Sequence, residues 1–125
     1  MATEAPIVTP AQVEKRLRDL SHEIDEAHND LVASEANYFS IKAEYEITLA
    51  RHRITLASKS APNGKNYTVG EREDLALIST EELHFRMATA ESLVRSSRAN
   101  VLRLKTQVEI ARSVGSNVRS AIEAL

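Results

Sequence analysis

The chain contains no cysteine and no tryptophan. The first absence excludes a disulfide framework and thiol chemistry, and it fits a reducing cytosol. Only five residues are aromatic, three Tyr and two Phe, so a thick core with a buried pocket is not expected. Glycine and proline number three each, which leaves few turns to place. No apolar stretch approaches the ~18 residues that a membrane span requires. Met1 to Pro10 carries Glu4 and no apolar run, unlike a secretory leader. The formal net charge of −2 gives no global signature of nucleic-acid binding. What remains is a chain of 125 residues, 42% hydrophobic, rich in Ala, Glu, Leu and Arg. That composition predicts long helices in one domain.

Charge is unevenly spread. Residues 1–50 carry four Lys/Arg and ten Asp/Glu, residues 51–85 carry five of each, and residues 86–125 carry seven basic and three acidic. Such asymmetry means either a partner surface or two halves that face each other.

Residues 1–8 read as a mobile tail before a single helical domain over 9–125. Thr9-Pro10 is a helix start, because Thr caps free amides and Pro fits the first turn. Gln12 completes a capping box. A 4–3 spacing then runs through Val13, Leu17, Leu20, Ile24, Ala27, Leu31, Ser34, Tyr38, Ile41, Tyr45, Thr48 and His52, with Leu49 and Leu56 beside it. This predicts a helix over about 10–60, roughly 75 Å long. Pro62-Asn63-Gly64 marks a loop over 61–68. Thr68 with Glu71 makes a second capping box, opening a helix over about 69–124. Its seam is Leu83, Met87, Ala90, Val94, Ser97, Val101, Leu104, Val108, Ala111, Gly115, Val118, Ile122 and Leu125. Leu75, Ile78 and Phe85 suggest a second apolar face near the loop. The unbroken phase favours continuation through Gly115, with a bend or a short third helix there as the alternative.

The fold class is therefore all-α: a long antiparallel two-helix hairpin, coiled-coil-like. Positions whose numbers add to about 128 should lie opposite each other. Arg95 and Arg98 would then face the region of Asp30 and Glu35, so that the acidic first half answers the basic second half. Ala36, Ala43, Ala50 and Ala57 keep a seven-residue rhythm beside the seam. They predict self-association as a homo-oligomer.

Catalytic chemistry is not expected. His28 and His84 each follow a carboxylate by three residues, Asp25 and Glu81, the spacing of helical di-metal sites. The hairpin register sets the two motifs about 24 Å apart along the axis, so neither metal nor cofactor is expected. There is no Gly-rich phosphate loop and no nucleophile elbow. Basic residues do gather near the hairpin tip: Arg51, Arg53, Lys59 and Lys65, with Arg72 across the turn and Tyr67 beside them. Cations for phosphates and a ring for base stacking suit single-stranded nucleic acid. Glu71, Glu73 and Asp74 lie close in sequence, and a solvated mixed-charge end is the competing reading.

Three segments carry a family likeness. They are Glu44-Tyr45-Glu46-Ile47-Thr48-Leu49-Ala50-Arg51-His52-Arg53-Ile54 closing the first helix, Glu71-Arg72 after a Gly-containing polar loop, and Ile110-Ala111-Arg112-Ser113-Val114-Gly115-Ser116. In order and spacing, about residues 40–120 resemble the UvsY-like family of phage recombination mediators. The resemblance implies a small oligomeric helical protein that binds single-stranded DNA. It further implies help in loading a recombinase onto strands covered by a single-strand-binding protein, in the cytoplasm of the host cell. The family's short basic segment falls on Arg51, His52 and Arg53. The alternative is a non-enzymatic structural or adaptor coiled coil that acts through helix–helix contacts.

Overall fold

The computed structural model describes residues 8–125. The expected tail, apart from Val8, lies outside the described residues. There are three helices: α1 over Pro10–Ala57, α2 over Val69–Ser79 and α3 over Glu81–Glu123. Long α1 and α3 pack antiparallel with short α2 between them in the chain, which is a helical hairpin. The chain divides into two compact units. One joins the residues up to Leu31 with Ser96–Leu125, and the other is Val32–Arg95.

The α1 start is a reciprocal capping box. The Thr9 amide donates to Gln12 Oε1 at 2.9 Å, and the Gln12 amide donates to Thr9 Oγ1 at 3.2 Å. In the first unit, Leu20 and Ala27 of α1 meet Val101 and Leu104 of α3, with Ile24, Leu31, Val108 and Ala111 around them. Each lies at a position of the expected seams. Helix α3 runs through Gly115 unbroken. A Cβ there would stand 2.9 Å from Val13 Cγ1, so the glycine permits close helix approach and ends nothing. Ile122 and Leu125 are exposed, at a level beyond the Pro10 start of α1.

In the second unit, α1 ends at Ala57 and residues 58–68 form the connection. The chain folds back tightly through an antiparallel bridge between Ser60 and Asn66. The Ala61 amide donates to the Lys65 carbonyl at 2.7 Å, and the Gly64 amide to the Ala61 carbonyl at 2.9 Å. Gly64 has φ +77°, a left-handed value that glycine adopts without steric cost. Thr68 then caps α2, its hydroxyl accepting from the Glu71 amide at 3.1 Å.

The expected single helix over 69–124 is divided at Thr80, so the short helix precedes the long one and does not follow Gly115. Thr80 has φ −109° and ψ 15°, outside the helical well. Its amide is shared between the carbonyls of Ala76 and Leu77, and its hydroxyl donates to Ala76 O at 2.8 Å. A hydroxyl turned back onto the preceding carbonyls competes with the ladder and bends it. The Thr80 carbonyl accepts from the His84 amide at 2.9 Å, which starts α3. Thr80 is only 2% exposed, and Ala76 is fully buried. These two continue the seam backward from Leu83 in the same 4–3 spacing. Ile78 and Phe85, read as a packing face, are mostly exposed. Among the described residues, no buried side-chain nitrogen or oxygen lacks a hydrogen-bond partner.

Candidate functional site

The register sets which side chains share a neighbourhood. Val13 meets Gly115 in the first unit, and the Tyr45 and His84 rings lie 5.5 Å apart in the second. Both pairs add to about 128, the expected alignment of antiparallel neighbours. Two charge pairs stay within one helix. Arg95 bonds Glu91 one turn back on α3 at 2.6 Å, and Arg16 lies 3.9 Å from Glu23 on α1. A carboxylate one or two turns away on the same helix is the shorter reach for an exposed guanidinium. Arg16 also reaches across, donating to Gln107 Oε1 at 2.9 Å.

Two surface features of the first unit follow from this packing. A cleft of about 380 Å³ is lined by Val8, Val13, Ile110, Ala111 and Val114, with the Arg16–Gln107 bond at its edge. A smaller one brings Arg112 beside Leu17 and Asp25. Both are open and carry no convergent set of polar groups. Among the described residues no group of three or more His, Asp or Glu side chains could hold a metal ion. No helix is long and apolar enough to cross a membrane.

The basic residues of the tip belong to the second unit. Arg51 and Arg53 are exposed on the last turns of α1, while His52 is half-buried on the seam side. Lys59 and Lys65 stand exposed in the connection, and Tyr67 is half-buried just before α2. Of these, Arg53 and Arg72 share a groove of about 280 Å³ with Ile54, Ala57, Val69 and Glu73. Glu73 thus enters the groove that the two guanidinium groups line. Glu71 is turned to the Thr68 hydroxyl at 3.1 Å.

The feature that the sequence reading underrated lies on α1 opposite its seam. Val32, Phe39, Ile47 and Ile54 are 67%, 59%, 52% and 71% exposed. They interleave with Ala36, Ala43, Ala50 and Ala57, all exposed as well. At 100° per residue, the eight positions fall in a sector of about 80°. The signal was present in the sequence, since each larger residue sits three or four positions from an alanine already noted. Helix α1 in this unit is therefore apolar on two opposite faces, and only one of them is covered by α2 and α3.

Compared with protein-family models, with curated proteins and with solved structures, the chain has no significant match.

Proposed function

We propose that the chain is a non-enzymatic assembly protein that works through helix–helix contacts, with a second copy of itself among its partners. The uncovered face of α1 carries this reading. Four large apolar side chains stand in one line on a surface where a charged or polar residue would serve a monomer better. Contiguous apolar surface of this kind marks interaction sites. Light scattering on the full chain tests it. The expected mass exceeds the 13.9 kDa of one chain, and it is unchanged by nuclease treatment. A mass of one chain at every concentration would rule the reading out.

A second reading is a single-stranded-DNA-binding recombination mediator that helps a recombinase displace a single-strand-binding protein. It rests on the resemblance over about residues 40–120. It is supported by the groove that Arg53 and Arg72 line together, with Arg51 exposed nearby. Guanidinium groups along a groove pair with phosphates, and an aromatic ring such as that of half-buried Tyr67 suits base stacking. Fluorescence anisotropy with a single-stranded oligonucleotide tests it. Salt-sensitive binding is expected, weakened more by reversing Arg51 and Arg53 than by reversing Arg95 and Arg98. No binding at low salt and tens of micromolar chain contradicts it.

A further inference from the structure

We infer that the Val32–Ala57 face of α1 is a two-fold interface at which a second copy of this chain docks antiparallel. The inference rests on the helix–helix reading above and gives it a surface, a partner orientation and a register.

Side-chain size points to the orientation. Along the stripe, large and small residues alternate without exception, from Val32 and Ala36 to Ile54 and Ala57. Let two such helices run antiparallel with the dyad beside Glu44 and Tyr45. Val32 then meets Ala57, Phe39 meets Ala50, Ile47 meets Ala43, and Ile54 meets Ala36. Every knob finds a small residue facing it, and the arrangement repeats identically through the dyad. A parallel pair instead stacks Phe39 on Phe39 and Ala43 on Ala43, a bulge beside a gap.

Charge points to the same register independently. Lys42 and Glu46 lie along one edge of the stripe, Lys42 half-buried and Glu46 exposed. In the antiparallel alignment Lys42 meets Glu46 of the second copy. Symmetry makes this pair twice. The contact spans about 38 Å of helix. At its end, Val32 of the second copy arrives at the groove between Ile54, Ala57 and Val69. Val69 is itself 62% exposed there.

Disulfide trapping in the full chain tests the register, since the chain has no cysteine of its own. Ala36→Cys and Ile54→Cys variants are oxidised mildly, alone and mixed. The expected result is a cross-linked dimer in the mixture, at least tenfold more abundant than in either variant alone. A second readout uses charge. Lys42→Glu should lower the dimer fraction by light scattering, and Lys42→Glu with Glu46→Lys should restore it. Helical circular dichroism confirms that each variant is folded. Ala36→Cys cross-linking to itself, or a double charge swap that fails to restore the dimer, overturns the antiparallel register while leaving self-association intact. A mass of one chain throughout overturns both the interface and the reading on which it rests.

Discussion

Gly115→Ala separates helix propensity from helix approach. In a helix interior, Gly to Ala alone is worth about 1 kcal/mol of stability. Here the new Cβ would stand 2.9 Å from Val13 Cγ1, well inside the ~3.5–4.0 Å of ordinary carbon contact. Val13 is buried and β-branched, so its methyl has little freedom to swing away. Overpacking of this kind costs about 1–3 kcal/mol. The net expectation is a loss of about 1 kcal/mol, with the sign set by the clash. Removing that methyl reverses the sign. In a Val13→Ala chain the nearest remaining atom is the residue-13 Cβ at 3.9 Å, and Gly115→Ala should then stabilise by about 1 kcal/mol. The coupling across the cycle is about 2 kcal/mol, within the range seen for residues in contact. Urea unfolding of the four chains, followed by helical circular dichroism, measures it. If Gly115→Ala stabilises equally in both backgrounds, α1 and α3 do not approach closely there, and the register of the first unit is wrong.

Other expectations follow from single contacts. Thr80→Val keeps the shape of a buried side chain but removes its hydroxyl bond to Ala76 O, and should cost about 1 kcal/mol in the same assay. Thr68→Ala removes the α2 cap. It should cost about 1 kcal/mol and raise amide exchange at Gly70 and Glu71, read by hydrogen-exchange mass spectrometry. Glu44 would meet its own copy beside the dyad of the inferred pair. Glu44→Gln should therefore strengthen self-association by about twofold, as expected for the loss of a like-charge contact of a few tenths of a kcal/mol; sedimentation at several concentrations would show it.

Much of the architecture was legible because a heptad seam is a strong periodic signal. From Val13 to His52, every position in the 4–3 series is buried or half-buried. The division at Thr80 was not legible from residue character. Thr80 and Ala76 are polar and small, while Leu75, Ile78 and Phe85 attract attention by size. Phase alone would have found the buried pair, by stepping back three and then four from Leu83. Gly115 was legible in part. The unbroken phase carried the helix through it, but only its distance to Val13 shows that it serves packing.

The surface was legible in part. The alanine rhythm at Ala36, Ala43, Ala50 and Ala57 was visible, but its meaning depends on the four larger residues between those alanines and on their exposure. Exposure is a tertiary property that periodicity does not supply. The basic tip shows the reverse case. Its residues were easy to name, yet of the named cations only Arg53 and Arg72 line the shared groove, and Glu73 stands with them.

Ile47→Glu places a charge in the outward apolar face of α1. Ile47 is half-exposed and near the middle of the stripe, so a glutamate there leaves the covered seam untouched. The expected result is a chain with full helical circular dichroism that scatters light as a single 13.9 kDa species at concentrations where the unaltered chain associates. A variant that associates as strongly as the unaltered chain would contradict it.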